Sequence, residues 1–394
     1  MSFQKLSVVV PVYNEEEGIR DFLRRVLQLP QVMRRETDLS SLEILVVDDG
    51  STDGTGEILQ EQEGILLLRH EKNRGYGAAL QTGFRRASGD LVGFLDADST
   101  CRPESFVTLY QMLLQERADL AIGSRLNSES RMPLLRKWGN RFYARVIWLL
   151  TGRRICDPAS GMRLFQAKLL PELMLLPSGL NFTPAMTARV LSDPALKVVE
   201  TPIPYEERLG SSKLRLVRDG ILFLKAILEM IFSYSPLTLL GGWAGVQLLL
   251  ALGYGMYPIG FYWRHHRLRE DMIYRLLAIE ALVISAAVLL CFGAVAQKAS
   301  RRLLHGKKPP FLERIIDRLS ALPWGITWVV SGVLLNLGPL AEYLTRGQIH
   351  AHWVYILMGG MLVLFGMVLI AYRIASGLLE NAFRLTPKEG GAVQ

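Results

Sequence analysis

Two acidic residues separated by one position, Asp96 and Asp98, follow the apolar run Leu91–Leu95. An apolar run of this length between helical patterns predicts a buried parallel strand, and open α/β sheets bind ligands at the carboxyl ends of their strands. Carboxylates suit Mg²⁺ or Mn²⁺, which keep positions open for phosphate oxygens and water. The pattern therefore predicts metal-assisted chemistry on a phosphorylated substrate, with an ordinary surface turn as the alternative.

Four further polar segments follow apolar runs in the N-terminal third of the chain. The runs Ser7–Val12 and Leu42–Val47 are rich in β-branched residues, which favour strands. Strands that alternate with helices predict an α/β layered sheet, whose carboxyl edge is expected to gather these segments. The segments are Pro11-Val12-Tyr13-Asn14-Glu15-Glu16, Asp48-Asp49-Gly50-Ser51-Thr52-Asp53-Gly54, Asn73-Arg74-Gly75-Tyr76-Gly77-Ala78-Ala79-Leu80 and Gly123-Ser124-Arg125.

The elements that would hold these segments are short. Further strands are predicted at Ile65–Leu68, Leu120–Ile122 and Val198–Pro202, and helices at Arg131–Leu150 and Lys168–Leu176. Gly75 and Gly77 do not indicate a dinucleotide-binding fold, because Leu80 stands where that motif requires its third glycine. Residues 1–214 are therefore predicted to form one α/β domain.

Long apolar runs replace this mixed composition after Ser235. Four of these runs are long enough to cross ~30 Å of hydrocarbon. They are residues 237–263, 273–297, 319–341 and 353–372. The sequence therefore predicts a membrane domain at 236–376, followed by a cytosolic tail at 377–394.

A different kind of helix is predicted at residues 215–235, between the two domains. Arg218, Lys225 and Glu229 fall on one helix face, and most other positions are apolar. This pattern predicts an amphipathic helix lying on a bilayer surface, with an ordinary buried helix as the alternative.

The chain has a net charge of +8, and its basic residues gather beside the apolar runs. That distribution fits a membrane surface better than nucleic acid. Seven basic residues lie in Lys298–Arg318. With a cytosolic N-terminus and four spans, this loop lies in the cytosol, as the positive-inside rule requires. The basic stretch Arg264–Arg269 would then face outward, against the same rule. With no signal-peptide pattern and only three scattered cysteines, we expect a multi-pass membrane protein whose N-terminal domain is cytosolic.

The order and content of the polar segments resemble the family 2 glycosyltransferases of the GT-A fold, over about residues 5–214. Three later stretches are similar to the polyprenyl-phosphate sugar transferases of the dolichol-phosphate mannose synthase type. These stretches are Arg136-Lys137-Trp138-Gly139-Asn140, Asp157-Pro158-Ala159-Ser160-Gly161-Met162-Arg163-Leu164-Phe165 and Arg208-Leu209-Gly210-Ser211-Ser212-Lys213-Leu214. The resemblance implies a GT-A α/β domain, then an interfacial helix and an α-helical transmembrane domain of four spans.

The resemblance also implies a role for individual residues. Binding of the donor, a GDP- or UDP-hexose, falls to Pro11, Tyr13, Glu15, Asp48, Asp49, Asp96, Ala97, Asp98, Arg208 and Lys213. Binding of Mg²⁺ or Mn²⁺ falls to Asp96, Asp98 and Thr100, where Thr100 stands at a position that is often glutamine in that group. Binding of the acceptor phosphate falls to Arg125, Arg136, Asn140 and Arg163. The catalytic set is Asp96, Asp98 and Asp157, and Asp157 either acts in catalysis or only caps or orients Arg163. Which of Asp48 and Asp49 contacts the base or ribose stays open.

The sequence shows no Glu-Asp pair that could serve as a general base toward a hydroxyl acceptor, and Asn181-Phe182-Thr183 lies near the place where one would be. A phosphate monoester has a second pKa near ~6, so it is largely ionised at neutral pH and needs positioning rather than deprotonation. The expected reaction is inverting transfer of a hexose to a polyprenyl phosphate, dolichyl or undecaprenyl, at the cytosolic membrane face. One alternative is a family 2 enzyme acting on a lipid hydroxyl. Another is a non-catalytic membrane partner, such as a component of a lipid-sugar flippase.

Overall fold

The computed structural model describes residues 3–126, 132–206, 216–303, 309–348 and 352–385. Two of the residues predicted to bind the donor, Arg208 and Lys213, lie outside this part of the chain. The chain divides into two compact units, Met1–Ile231 and Phe232–Gln394. Most of the helix predicted at 215–235 therefore belongs to the first unit.

The first unit alternates strands and helices, as its sequence predicts. Its strands are β1 (Lys5–Val12), β2 (Ser41–Asp48), β3 (Leu66–Arg69), β4 (Leu91–Leu95), β5 (Leu120–Ser124), β6 (Met162–Gln166) and β7 (Val198–Pro202). Its helices are α1 (Ile19–Val26), α2 (Leu29–Glu36), α3 (Thr55–Gln60), α4 (Tyr76–Arg86), α5 (Ser105–Gln115), α6 (Leu134–Thr151), α7 (Leu170–Leu173), α8 (Phe182–Ser192) and α9 (Leu216–Tyr234).

The seven strands form one mixed sheet in the order β3-β2-β1-β4-β6-β5-β7. β1 pairs in parallel with β2 and β4, and β2 with β3, as expected for apolar strands between helices. The parallel arrangement fails at β6, which runs antiparallel between β4 and β5. This strand was hidden in the sequence because Arg163 interrupts its apolar pattern.

Side chains that alternate along β1 supply two separate cores, because successive strand residues point to opposite faces of the sheet. Val8 and Val10 pack with residues of α1, α2 and α5 on one face. Val9 packs on the other face with residues of α4, α6, α8 and α9. The sheet is therefore covered by helices on both faces, and its ligands must enter at an edge.

The strand order also determines where the polar segments meet. β1 lies between β2 and β4, so the segments after these three strands converge at the carboxyl edge of the sheet. The chain changes direction there, from β2 on one side of β1 to β4 on the other. Such a switch point is the usual ligand site of an open α/β sheet.

The second unit consists of helices α10 (Pro236–His265), α11 (Ile273–Leu303), α12 (Phe311–Leu319), α13 (Leu322–Arg346) and α14 (Trp353–Leu385). Within the described residues, four helices are long and apolar enough to cross a membrane, namely α10, α11, α13 and α14. They coincide with the four predicted spans and mark the chain as an integral membrane protein. The third span begins at Leu322 rather than at residue 319, because α12 is a separate short helix. The fourth helix continues to Leu385, beyond the predicted span.

Two basic residues of the stretch Lys298–Arg318 are held in partly buried ion pairs. Lys298 donates to Asp317 at 2.6 Å and to the Ser376 hydroxyl at 2.6 Å. Arg301 pairs with Glu313, which is almost fully buried. These pairs fasten α12 to the end of α11, so this short helix has a fixed place in the second unit.

Candidate active site

A cavity of about 680 Å³ opens at the carboxyl edge of the sheet. Its wall combines three kinds of surface. The segments at the ends of β1, β2 and β4 supply carboxylates, Arg125 and Arg136 supply positive charge, and α6 and α9 supply apolar side chains. One cavity thus combines the surfaces that a charged donor and an apolar acceptor would need.

The loop after β1 forms the first wall of this cavity through Pro11, Tyr13 and Glu15. Asn14, between the last two, has a positive φ of 49°. Its backbone N–H donates to the Ser51 hydroxyl at 3.0 Å, and its side-chain oxygen accepts from the Thr52 N–H at 2.8 Å. The loops after β1 and β2 are therefore fastened together, which fixes the backbone that presents the donor-side residues.

Asp48 and Asp49 point to opposite sides, as neighbouring residues at a strand end must. Asp48 is fully buried, accepts from the Ser51 N–H at 2.9 Å and faces Arg69, so it supports the fold away from the cavity. Asp49 borders the cavity and accepts from the backbone N–H groups of Arg74 and Gly75 at 2.9 and 2.8 Å. Of the two, only Asp49 is placed to meet a ligand.

Asp96 is held by Tyr76, which belongs to one of the polar segments but has no role in the site predicted from the sequence. The Tyr76 hydroxyl donates to Asp96 Oδ1 at 2.7 Å, and both residues line the cavity with Ala97 and Asp98. Burial, and then the negative charge of Asp96, raises the pKa of Tyr76 well above its usual range, so the phenol stays protonated and donates. The signal available in the sequence was the hydroxyl of Tyr76, which stands in one of the polar segments expected at the carboxyl edge of the sheet.

Gly161 gives Asp96 the room that this position needs. A β-carbon on Gly161 would overlap the Asp96 carboxylate. We expect Gly161→Ala to displace that carboxylate and to lower turnover by roughly ten- to a hundredfold, as loss of one well-placed charged contact does.

A matched control exists in Gly139, which also borders the cavity. An added β-carbon there would meet only the Tyr143 ring, at 4.0 Å, which is an ordinary contact. Initial rates and thermal unfolding of both variants check the prediction. If Gly161→Ala turns over as fast as Gly139→Ala, the contact does not position Asp96.

Thr100 is placed next to Asp98 rather than on the cavity wall. Its hydroxyl donates to Asp98 Oδ1 at 2.7 Å, and its N–H reaches the same oxygen at 3.2 Å. The resemblance implies that Thr100 is a metal ligand, but in this arrangement the hydroxyl orients a carboxylate. Ser99, between the two, has a φ of 58°, which turns the backbone sharply after Asp98.

Arg125 and Asn140, which line the cavity, form a cluster with the fully buried Asp157. Arg125 donates to Asp157 from its backbone N–H at 3.0 Å and from Nε and Nη2 at 2.8 and 2.9 Å. Asn140 of α6 adds a further donor at 2.7 Å. Four donors therefore converge on one carboxylate, which fixes both partners with respect to the wall.

These donors lower the pKa of Asp157. Burial alone would raise its pKa, but the Arg125 charge and its hydrogen bonds outweigh burial and hold the pKa below its usual range. Such a carboxylate is a poor proton acceptor. Of the two roles left open by the sequence, Asp157 fits an orienting one, and the residues that it orients are Arg125 and Asn140 rather than Arg163.

Arg163 is placed differently from what the resemblance implies. Its guanidinium is fully buried, donates to the carbonyls of Ser160 and Pro158 at 3.1 and 2.7 Å, and does not border the cavity. Its Nη1 has no hydrogen-bond partner among the described residues, and burial lowers its pKa to about 10. It supports the turn before β6 and lies too deep to reach an acceptor phosphate in this conformation.

The apolar part of the cavity wall is built where α6 meets α9. Its wall includes Leu135, Trp138, Tyr143 and Phe223. The Tyr143 hydroxyl donates to the Gly220 carbonyl at 2.9 Å, and the Tyr143 and Phe223 rings lie 6.0 Å apart. Packing between α6 and α9 therefore shapes this apolar part of the cavity wall.

Both helices carry large apolar side chains on their outer surfaces. On α6, Leu135 and Trp138 are 63% and 67% exposed and stand at the rim of the cavity. On α9, Val217 and Ile221 are 76% and 65% exposed, while its other face packs into the core of the first unit. The sequence predicts this character for α9 only, because charged residues at Arg141 and Arg145 conceal it in α6.

Comparison with known proteins identifies the family. A model of glycosyl transferase family 2 matches residues 7–174. An uncharacterized protein of Methanocaldococcus jannaschii, MJ1222, is 30% identical over 237 residues, which cover 58% of this chain and 93% of that protein. The chain belongs to glycosyl transferase family 2. The first unit of this family 2 glycosyltransferase has the GT-A fold that its sequence predicts.

Two named relatives are similar to this glycosyltransferase. The low-salt glycan biosynthesis hexosyltransferase Agl6 of Haloferax volcanii is 30% identical over 259 residues, which cover 62% of this chain and 60% of Agl6. The undecaprenyl-phosphate 4-deoxy-4-formamido-L-arabinose transferase of Klebsiella pneumoniae is 29% identical over 259 residues, which cover 64% of this chain and 75% of that enzyme. The match thus spans less than two thirds of the first relative and three quarters of the second.

Proposed function

We propose that this glycosyltransferase moves a hexose from a nucleotide-sugar donor to a polyprenyl phosphate, with inversion at the anomeric carbon. The presence of three kinds of surface in one cavity carries the proposal. The carboxylates suit a metal-bound diphosphate, the arginines suit a phosphate, and the apolar part of the wall includes side chains that are exposed on α6. The names of the two relatives, one a hexosyltransferase and one an undecaprenyl-phosphate sugar transferase, support the same reading.

Asp96 and Asp98 fit a divalent cation such as Mg²⁺ or Mn²⁺. Their carboxylates border the cavity, and hydroxyl donors orient each of them. Within the described residues no group of three or more His, Cys, Asp or Glu side chains could hold a metal alone. Two protein carboxylates completed by donor phosphates and water are a common arrangement for Mg²⁺. A metal bound there would neutralise the charge that develops on the departing diphosphate.

The residues at the acceptor side favour a nucleophile that needs no general base. Asp157, the buried carboxylate nearest Arg125, is saturated by its donors. An ionised lipid phosphate would attack the anomeric carbon through one oxygen while the bond from that carbon to the diphosphate oxygen breaks. The nucleoside diphosphate leaves with the electron pair, so no proton has to move. Arg125 and Arg136 would position the attacking phosphate, and their charge would offset its own.

The proposal places the first unit at the cytosolic face of the membrane. The outer surfaces of α6 and α9 combine apolar side chains with Arg141, Arg145, Arg218 and Lys225, a composition that suits an anionic lipid surface. The excess of basic residues near Lys298–Arg318 supports the same orientation by the positive-inside rule. The rim at Trp138 would then stand where the head group of a lipid acceptor arrives.

The test is product formation by the purified protein in detergent or lipid nanodiscs. It is incubated with a panel of GDP- and UDP-hexoses and undecaprenyl or dolichyl phosphate, and the lipid product is weighed by mass spectrometry. We expect one hexosyl phosphate lipid. Equal transfer to polyprenol without the phosphate would favour the glycolipid synthase alternative, and no donor turnover at all would favour the non-catalytic one.

Arg136→Ala is expected to raise the apparent KM for the lipid phosphate, or to lower turnover, by roughly ten- to a hundredfold, because it removes one charge-assisted contact. Donor affinity should change little. Arg34→Ala, which removes an exposed arginine of α2 that does not border the cavity, is the control and should behave as the unaltered protein. Equal loss of donor and acceptor binding in Arg136→Ala would contradict the assignment.

A further inference from the structure

His70 contacts Asp49, which lines the cavity, but does not border the cavity itself. The residue follows β3 and is only 6% exposed. Its Nδ1 lies 2.6 Å from Asp49 Oδ1, and its Nε2 lies 2.9 Å from the Thr82 hydroxyl of α4. The ring therefore joins the end of β2 to the helix on the same side of the sheet.

Asp49 links His70 to the turn at Gly75, which lines the cavity. Its Oδ1 accepts from the Arg74 N–H at 2.9 Å, and its Oδ2 accepts from the Gly75 N–H at 2.8 Å. Gly75 has a φ of 101°, and a β-carbon there would approach the Ser178 carbonyl to 2.6 Å. The turn is thus held by the Asp49 carboxylate on one side and by the Ser178 carbonyl on the other. Of these two contacts, only the one with Asp49 is made by a side chain.

The turn at Gly75 leads directly to Tyr76, which donates to Asp96. A continuous series of hydrogen bonds and one short turn therefore runs from Thr82 through His70 and Asp49 to the carboxylate proposed to hold the metal. With a proton on Nδ1, the ring donates to Asp49, and its Nε2 shares a hydrogen bond with the Thr82 hydroxyl.

We propose that His70 is a positioning residue for the nucleotide of the donor: it holds Asp49, and through Asp49 the turn at Gly75, in the conformation that binds the nucleotide. This inference rests on the donor side of the proposed function. Asp49 borders the cavity beside Tyr13 and Asn73, while His70 itself touches no ligand surface. If Asp49 is displaced, the N–H groups of Arg74 and Gly75 lose their acceptor together. A substitution of His70, which does not contact the ligand, should therefore weaken nucleotide binding.

The experiment measures the dissociation constants of UDP and GDP, each with Mg²⁺, on the full-length protein in detergent by calorimetry. His70→Leu removes both side-chain hydrogen bonds. His70→Asn keeps a donor where Nδ1 stands, and His70→Gln keeps a polar group where Nε2 stands. We expect the dissociation constant of the nucleotide that binds to rise about tenfold in His70→Leu and in His70→Gln, and to stay within about threefold in His70→Asn.

The rescue by asparagine separates this role from a merely structural one. Lower thermal stability in His70→Leu with unchanged nucleotide affinity would overturn the proposal, as would a His70→Asn variant that binds as poorly as His70→Gln. Should His70→Leu fail to fold, the asparagine and glutamine pair gives the same contrast. Absence of UDP and GDP binding in the unaltered protein also overturns it, whereas nucleotide binding without any lipid product sinks only the proposed acceptor.

Discussion

Asp98→Asn is expected to lower kcat/KM for sugar transfer by roughly a hundred- to a thousandfold, at any concentration of Mg²⁺ or Mn²⁺. The substitution keeps the size of the side chain but removes the charge that would hold the cation beside the donor diphosphate. Thr100 can still donate to the remaining oxygen, so the local fold should survive. The measurement is the initial rate of lipid-product formation across a metal titration.

Asp21→Asn is the matched control for this variant. Asp21 is an exposed carboxylate on α1 that pairs with Arg24 at 3.3 Å, so its loss removes the same charge away from the cavity. Its rate should equal that of the unaltered protein. Near-normal transfer by Asp98→Asn would remove this residue from the metal site and would leave the metal proposal with Asp96 alone.

Asp157→Ala is expected to have the largest effect on folding, because it leaves the Arg125 guanidinium buried without its partner. Removing one member of a buried ion pair costs about 3–5 kcal/mol. Turnover should fall with it, since Arg125 and Asn140 lose the carboxylate that orients them. Thermal unfolding and lipid-product assays on the same preparation record both effects.

A double-mutant cycle distinguishes this orienting role from general-base catalysis. If the two residues act as a unit, Arg125→Ala combined with Asp157→Ala should cost little more than either change alone. A general base would instead give Asp157→Ala a loss that adds to that of Arg125→Ala. It would also give the unaltered enzyme an acidic limb in its pH–rate profile that Asp157→Asn abolishes.

The pH dependence of stability follows from the lowered pKa of Asp157. In the unfolded chain an aspartate titrates near ~3.9, and in the folded protein Arg125 holds the pKa below that value. The stabilisation is therefore fully present above about pH 4 and is lost as the pH falls through the folded pKa. The gap in unfolding temperature between the unaltered protein and Asp157→Asn should narrow on acidification below about pH 4.

The sequence was informative wherever a local pattern determines the outcome. Apolar strands that alternate with helices predicted an α/β sheet, which the family resemblance made a GT-A unit, and uninterrupted apolar runs predicted the four long helices of the second unit. The meeting of Asp49, Asp96 and Arg125 at one cavity also follows, because strands that run in the same direction end at the same edge of the sheet.

Other features depended on contacts that no local pattern encodes. Asp48 and Asp49 are chemically identical neighbours, and only the tertiary fold decides which one faces the cavity. The direction of β6 was concealed by Arg163, whose burial is accommodated by carbonyl acceptors in the preceding turn. The partners of Asp157 come from two separate segments, Arg125 after β5 and Asn140 on α6, so its orienting role could not be assigned from a motif.

The pairing of Arg125 with Asp157 limits how this enzyme could be redesigned for a different acceptor. Exchange of either residue alone is expected to cost stability, because the partner would lose its counter-charge at a largely buried position. A directed-evolution library that samples position 125 alone would therefore return mostly destabilised variants. Diversity is better introduced at Leu135 and Trp138, whose exposed side chains border the cavity without supporting the core, so that selectivity can be varied while the ion pair stays untouched.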